Sequence, residues 1–409
     1  MRIAVWHNLP SGGGKRALYD HVKGLKERGH TIESWCPPTA DQDYLPLSDL
    51  VPEHIVPAQI DPRSSSYSLK NVLTLRTRAL SIVKELDAYA QQSAAQIERG
   101  NFDVLLANSS IEIAVSSIGR YLKLPKALYL QEPFRYFYEA EPHLPWMALP
   151  DGNPWSANQV ARGVHNSVRL RGWRIQLREE WKNARAYDEI FVNSLFSRES
   201  ILRAYGVDAK VCYLGVDTSK FVDQQRPRED FVIGIGSISP RKNIHFVIEA
   251  LSHMGPPRPR FVWIGNTVDQ DYRAQLVKLA SENDVKFDMQ TLVGDETLVE
   301  LLNRARMLVY APRLEPFGLA PLEASACGLP VVAVAEGGVR ETVVNGINGL
   351  LVESDPQAMA GAIKELLEDP EKANRLGQQG RQLVAERWTA EAATERLEKG
   401  LLSLLSKRS

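Results

Sequence analysis

The sequence Ala311-Pro-Arg-Leu-Glu-Pro-Phe-Gly-Leu-Ala-Pro-Leu-Glu-Ala-Ser-Ala-Cys-Gly328 lies between two apolar runs, 307–310 and 330–335, that have the character of β-strands. Its two later prolines disfavour a helix before residue 322, residues 322–326 favour one, and Gly328 suits the C-terminal cap. The stretch therefore predicts a strand, a tight loop and the N-terminus of a short helix, followed by another strand.

This arrangement predicts an anion site where the helix begins. The first N–H groups of a helix have no partner within it, and the helix dipole places about half a positive charge there. The amides of Phe317, Gly318 and Leu319 would therefore suit a phosphate group. Glu315 and Glu323 bracket these amides with seven residues between them. A carboxylate accepts hydrogen bonds from vicinal hydroxyls, so the groups together describe a site for a nucleotide sugar.

Glu315 and Glu323, within Glu-Pro-Phe-Gly-Leu and Leu-Glu-Ala, resemble the signature of the retaining glycosyltransferases of family 4. The run 326–332 and the pair Gly337-Gly338 add to this resemblance, and the alternative is an ordinary loop with two solvated glutamates. The resemblance implies an α/β protein with the GT-B fold. Such a protein has two doubly wound, Rossmann-like domains that face a cleft, and a C-terminal helix that returns to the N-terminal domain.

The resemblance also implies the division of the chain. We expect an N-terminal, acceptor-side domain of residues 1–205 plus 388–409, and a C-terminal, nucleotide-sugar-binding domain of residues 206–387. Several helices are predicted locally: a long amphipathic helix at 69–99, two C-terminal helices that open at Asp-Pro pairs, and a final helix after residue 388.

Composition bounds the class of protein. The chain has 409 residues, 44% of them apolar and 24% charged, with a formal net charge of −1, which argues against a dedicated nucleic-acid binder. Three widely spaced cysteines predict neither a disulfide framework nor a zinc site. No run approaches the ~20 apolar residues of a membrane span. We therefore expect a soluble, cytoplasmic protein.

The beginning of the chain reads as a strand at 3–6, a glycine turn, a helix at 15–28 and another strand, which is the opening unit of a doubly wound domain. Arg16 stands where a Walker loop needs Ser or Thr, so the turn is not a Walker loop. Glycines let the backbone approach a ligand closely. The resemblance places Gly13 and Gly14 in a loop that faces the donor across the cleft; a purely structural turn is the alternative.

Two further strands, 102–107 and 127–130, end at polar residues. Ligands of doubly wound sheets bind at the carboxyl ends of strands, so we expect Asn108 and Gln131 on the acceptor or sugar side of the cleft. Gln131 replaces a histidine that the family often carries at this point. The sequence therefore offers no imidazole at this position.

A second strand–turn–helix unit begins at 231–235, and its turn carries Arg241 and Lys242, which could bind phosphate through charge-assisted hydrogen bonds. Lys242 matches the family's lysine, whereas Ser237 stands where the family usually has arginine. Either Arg241 compensates or diphosphate binding is weaker. Gly265, at the end of the next strand, resembles the loops that carry the nucleotide base.

The resemblance implies transfer of a hexose from a UDP- or GDP-sugar to a saccharide or lipid-linked acceptor with retention at the anomeric carbon, in cell-surface polysaccharide or glycolipid synthesis. Lys242, Arg241 and the amides of 317–319 would offset the charge of the leaving diphosphate. Glu323 would hold the ribose and Glu315 the donor sugar. The nucleotide sugar is a substrate, and no cofactor is expected.

No metal is expected either. Asp41-Gln-Asp43 and Asp269-Gln-Asp271 match the Asp-x-Asp pattern, but no strand leads into them, so we interpret them as solvated carboxylates. Two other classes stay open: a phosphorylase or nucleotide-sugar epimerase of the same fold, and a non-catalytic nucleotide-sugar sensor. The aromatic and basic segment 134–185 is either a helix packed on the core or a surface that meets anionic lipid at the inner face of the membrane.

Overall fold

The structure is a computed structural model, and it describes residues 1–57, 70–111, 113–139 and 157–407. The described residues form two parallel sheets that follow one another along the chain. Each sheet has helices on its faces, as expected from strands that alternate with helical segments. The predicted α/β class with two Rossmann-like domains is confirmed.

The first sheet has the strand order β3-β2-β1-β4-β5-β6-β7. The first strand of the chain, β1, lies inside this sheet and pairs in parallel on both sides, with Ile3 opposite both Ile32 and Val104, and it is buried from its second residue onward. That burial explains why the opening run is continuously apolar. The strands are β1 (Arg2–Asn8), β2 (Thr31–Cys36), β3 (Glu53–Ile55), β4 (Val104–Ser110), β5 (Lys126–Tyr129), β6 (Glu189–Val192) and β7 (Lys210–Val211).

Helices of the first domain follow these strands. The first buries Leu18, Val22 and Leu25 on one face, which is the spacing that predicted it. The helices are α1 (Gly13–Glu27), α2 (Lys70–Arg99), α3 (Arg135–Tyr138), α4 (Ala157–Ala184) and α5 (Leu195–Tyr205).

The second sheet has the order β10-β9-β8-β11-β12-β13. Its strands are β8 (Phe231–Ile235), β9 (Arg260–Gly265), β10 (Phe287–Thr291), β11 (Leu308–Tyr310), β12 (Val331–Val334) and β13 (Gly349–Val352). The remaining helices are α6 (Ile244–Ser252), α7 (Gln270–Glu282), α8 (Asp295–Arg304), α9 (Leu319–Ala326), α10 (Val339–Thr342), α11 (Pro356–Glu368), α12 (Pro370–Arg387) and α13 (Ala390–Ser406).

The last helix, α13, returns to the first domain as predicted. It buries Leu397, Leu401 and Leu404, and its Glu398 accepts a hydrogen bond from Arg28 Nε at 2.7 Å. This crossing is the connection that the GT-B arrangement requires. The exact domain limits, 1–205 plus 388–409 and 206–387, stay a prediction; β7, beyond residue 205, pairs with the first sheet.

Some local expectations differ from the structure. Helix α9 begins at Leu319 and not at residue 322, because Pro321 falls in its first turn, where a missing N–H costs no helical hydrogen bond. Strand β3 lies within the segment 37–68, whose many Pro, Ser and Asp residues predict an irregular segment. It is an edge strand of three residues, and its sequence carries no strand pattern.

One face of α4 is apolar in the sequence (Leu170, Trp173, Leu177, Trp181 and Ala184), and the structure buries this face only in part. Trp181 is 48% exposed, whereas Glu180 and Asn183 are buried because they bond to neighbouring elements. Of the segment 134–185, residues 140–156 lie outside the described residues. No helix in the described ranges combines the length and apolar character needed to cross a membrane.

Candidate active site

A cleft of about 620 Å³ lies between the carboxyl ends of the two sheets. The loops after β1 and β5 form one wall, and those after β8, β9 and β11 form the other. Of the residues that the sequence predicted for the site, these line the cleft: Gly13, Gly14, Gln131, Arg241, Lys242, Gly265, Glu315, Phe317, Gly318, Leu319 and Glu323. The exception is Asn108, which is 3% exposed near the end of β4 and does not line it.

The predicted phosphate loop ends at Gly318, whose φ of 97° lies in the left-handed region that favours glycine. Helix α9 starts at the next residue, and no side chain caps its N-terminus. Across the cleft, a Cβ on Gly13, the first residue of α1, would lie 3.6 Å from Leu319 Cδ1, so the N-termini of the two helices are close together. The unpartnered amides of α9 therefore face the glycine loop of the first domain.

The pair Gly337-Gly338 supports the other side of this loop. A Cβ on either glycine would overlap the backbone carbonyl of Glu315 or Pro316, and Gly338 N donates a hydrogen bond to Glu315 O at 2.7 Å. Only glycine allows this close approach. The two glycines that strengthened the resemblance thus hold the backbone beside Glu315.

Glu315 pairs with the lysine of the second unit. Lys242 Nζ donates to Glu315 Oε2 at 2.7 Å, and both side chains are 15% exposed. Burial alone would raise the pKa of Glu315, but Lys242, Arg135 and Arg241 outweigh it, and the pKa lies below its usual value. Glu315 is therefore ionised at neutral pH and can accept hydrogen bonds.

Glu323 lies in a second charged group at the opposite end of the loop. Arg16, from α1, places Nε 3.7 Å from Glu323 Oε1 and Nη2 2.7 Å from Asp295 Oδ1. Burial raises the pKa of Glu323, and Arg16 offsets this only in part. Sequence reasoning missed Arg16 and Asp295 as site residues. The position of Arg16 in the first turn after the glycine loop was the available signal.

Arg241 is the more exposed of the two cations in the turn. Its side chain is 47% exposed, and Nη2 lies 3.9 Å from Glu132 Oε1, on the loop that follows β5. Ser237 also lines the cleft, with its hydroxyl 3.0 Å from that of Ser239. Arg241 therefore lies in the same cavity as the position at which the family usually has arginine.

The Asp-x-Asp matches have other partners. Asp269 Oδ1 accepts from Tyr272 N and caps α7, and Asp41 Oδ1 accepts from Tyr44 N. In the described part of the chain, the one cluster with metal-ligand geometry is His7, Cys36 and Glu53, whose ligand atoms lie within 4.8 Å of one another. It is buried outside the cleft and close to the Lys15 ammonium, which disfavours a cation.

Two known families match the chain. The family described as Glycosyltransferase Family 4 matches residues 11–220, and Glycosyl transferases group 1 matches residues 216–383. Among curated proteins, the alpha-1,3/1,6-mannosyltransferase ALG2 of Homo sapiens is 26% identical over 254 residues. That alignment covers 56% of this chain and 61% of the human protein, so it spans less than two thirds of the relative.

Solved structures share the fold along the whole chain. Sucrose-phosphate synthase from Thermosynechococcus elongatus has a TM-score of 0.71 at 18% identity and covers all of both chains. HepE of Anabaena, in complex with UDP-glucose, has a TM-score of 0.70 at 19% identity, with coverage of 98% and 100%. These similarities, together with the two parallel sheets, show the GT-B fold.

Proposed function

The chain belongs to glycosyltransferase family 4 and the glycosyl transferases group 1, and from that membership we propose that it transfers a hexose from a nucleoside-diphosphate sugar to a saccharide or lipid-linked acceptor, with retention at the anomeric carbon. UDP- and GDP-sugars are the proposed donors. The product would belong to a cell-surface polysaccharide or glycolipid. The GT-B structure that binds UDP-glucose supports the choice of donor class.

The observation that carries this proposal is the grouping of cations and backbone amides around the N-terminus of α9. Unpartnered backbone amides at its N-terminus and the cations Lys242 and Arg241 line one cavity, with a carboxylate at each side. Cations and oriented amides would offset the negative charge that develops as the diphosphate leaves, which is the main electrostatic requirement of the reaction. Glu323 would accept from the ribose hydroxyls and Glu315 from those of the sugar.

The proposal is tested with a panel of UDP-, GDP- and ADP-sugars, first by thermal shift and then by turnover with saccharide acceptors. A ligand at 100 times its dissociation constant stabilises the folded protein by about 2.7 kcal/mol. We expect one donor class to raise the melting temperature and to give a product that NMR identifies as the retained anomer. Inversion would reject the stereochemical part, and binding without turnover would indicate a nucleotide-sugar sensor.

We further propose that the protein acts in the cytoplasm, at the inner face of the membrane if its acceptor is lipid-linked. The basic segment 134–185 is the proposed contact with anionic lipid. Co-sedimentation with vesicles of anionic and of neutral lipid tests this contact, and equal binding to both would reject it.

A further inference from the structure

The backbone beside Glu315 has an unusual conformation. Leu314, the preceding residue, has a φ of 48°, in the left-handed region that side chains other than glycine rarely adopt. Such a conformation persists where the surroundings over-determine it, and it determines the direction in which the next side chain leaves the backbone. The contacts that hold Leu314 therefore also set the orientation of Glu315.

Two of these contacts come from the first domain. Arg135, at the start of α3, donates from Nη2 to Leu314 O at 2.6 Å and from Nη1 to Arg313 O at 3.2 Å. Its Nε bonds to the Glu132 carboxylate, and Glu139 Oε2 lies 3.5 Å from the same nitrogen. A planar guanidinium that is fixed in this way offers its two remaining nitrogens in a rigid fork. The fork matches the two consecutive carbonyls.

Other contacts complete the support. Glu336 Oε1 accepts from Leu314 N at 2.7 Å, within the second domain. On the far side of Glu315, Ser194 Oγ donates to Pro316 O at 2.5 Å, again from the first domain. Glu315 thus lies between backbone carbonyls that the opposite domain holds. Its placement depends on the two domains being together.

We propose that Arg135 is a positioning residue that couples the closed arrangement of the two domains to the orientation of the Glu315 carboxylate. This inference rests on the proposed function, in which Glu315 orients the donor sugar. Arg135 is 6% exposed and does not line the cleft, so it acts through the loop and not on the donor. When the domains separate, the loop loses the hydrogen bonds from Arg135. Glu315 then returns to its sugar-side position only when the domains close.

A positioning role predicts a specific kinetic signature. The diphosphate-binding groups have supports of their own, since Lys242 N donates to Ser239 O at 3.0 Å within its turn and the α9 amides belong to the helix, so nucleotide binding should survive the loss of Arg135. A small misplacement of a reacting group can cost ~100-fold in rate. We expect Arg135→Gln to lower kcat about 10- to 100-fold, with the donor KM and the Kd for the nucleoside diphosphate changed less than about threefold. Arg135→Lys, with one donor point, should restore part of kcat.

The test compares Arg135→Gln in two backgrounds, wild-type and Glu315→Gln. If Arg135 acts through Glu315, replacing Arg135 should lower kcat less than about threefold in the Glu315→Gln background. Arg120→Gln is the matched control, because Arg120 forms an ion pair with Glu179 at 3.2 Å within the first domain and away from the loop. Nucleotide titration of every variant establishes that it is folded.

The outcomes are distinct. An active wild type with an unchanged kcat in Arg135→Gln overturns this inference alone. The inference is also overturned if the effects of the Arg135 and Glu315 substitutions on kcat multiply independently. It is likewise overturned if Arg120→Gln lowers kcat equally, or if Arg135→Gln loses nucleotide binding. A wild type that binds no nucleotide and transfers no sugar rejects the proposed function, and this inference with it.

Discussion

Lys242 Nζ lies 2.7 Å from Glu315 Oε2, so the two groups predicted to act on the diphosphate and on the sugar neutralise each other before a donor binds. They come from different strand–loop units of the second sheet, after β8 and after β11. An entering diphosphate would compete with Glu315 for the ammonium. Donor binding would then release the carboxylate to accept hydrogen bonds from the sugar.

Replacement of Lys242 tests this relationship. Lys242→Ala removes a cation that matters most as the diphosphate leaves, and we expect kcat to fall ~100-fold or more. Lys278→Ala is the matched control, since Lys278 pairs with Glu282 on an exposed helix face. Steady-state kinetics with the donor varied is the measurement. A Lys242 variant within a few-fold of wild type would mean that Arg241 or another group performs the task.

The role of Arg241 is tested by replacing it and then restoring an arginine at position 237. If Arg241 replaces the arginine that the family usually has at position 237, then Arg241→Ala should raise the donor KM about 10-fold through a lost charge-assisted bond. Ser237→Arg in that variant should bring most of the affinity back, because both positions line the same cavity. Titration with a nucleoside diphosphate measures both. If Arg241→Ala keeps the wild-type affinity, Arg241 does not compensate for Ser237. The alternative, that the native protein binds the diphosphate more weakly, would then be favoured.

Activity without a metal is the third prediction. The cations Lys242 and Arg241 line the cleft, and one carboxylate of each Asp-x-Asp match, Asp41 and Asp269, accepts from a backbone amide. We therefore expect turnover to persist in EDTA, since the diphosphate charge is already offset by protein groups. Transfer is measured before and after chelation. Complete loss that Mn²⁺ or Mg²⁺ restores would contradict the prediction.

A buried carboxyl group predicts how stability depends on pH. Burial raises the pKa of Glu180 from 4.5 to about 7, although Tyr205 and Ala114 bond to it. Between these two pH values the folded state holds a proton that the unfolded state has lost, so the free energy of unfolding falls as pH rises and then levels off above about 7. The loss amounts to at most about 3 kcal/mol.

Glu180→Gln should remove this part of the pH dependence. We expect its free energy of unfolding to change less than that of wild type between pH 5 and pH 8, as measured by urea denaturation. Glu179→Gln is the control, because this neighbouring carboxylate on the same helix is paired with Arg120. Parallel curves for wild type and Glu180→Gln would disprove the assignment.

Much of the fold followed from local sequence patterns. Continuously apolar runs such as 3–6 and 231–235 form interior strands, because parallel strands are covered on both faces. Gly328, with a φ of 66°, ends α9 as its position predicted. These features depend on residues that are close together in the sequence, so a local pattern is enough to predict them.

Contacts between the domains could not be predicted in the same way. The pair Arg16–Glu323 joins residues that are far apart in the chain, and their approach depends on how two whole sheets face each other. Asn108, near the end of β4, is buried and does not line the cleft. On α4, hydrogen bonds to Glu180 outweighed the apolar pattern and left Trp181 exposed. These outcomes depend on tertiary packing, which a local sequence pattern does not predict.

The last prediction separates the two carboxylates beside the phosphate loop. Glu323 lies one turn inside α9 and next to Arg16, at the proposed ribose end, far from the reacting carbon. Its hydrogen bonds are similar in the ground state and the transition state, so Glu323→Gln should mainly raise the donor KM. Glu315 lies on the sugar side, where the ring flattens and gains positive charge as the bond breaks. Glu315→Gln should therefore mainly lower kcat.

Steady-state kinetics of both variants, with the donor varied at saturating acceptor, distinguishes these roles. The Gln substitutions keep the size of each side chain and remove only its charge, so each serves as a control for the other. A Glu315→Gln that changed only KM, beside a Glu323→Gln that lost kcat, would reverse the two assignments. If neither substitution mattered, the donor would bind elsewhere, because no carboxylate beside the α9 amides could then be holding a ribose or a sugar.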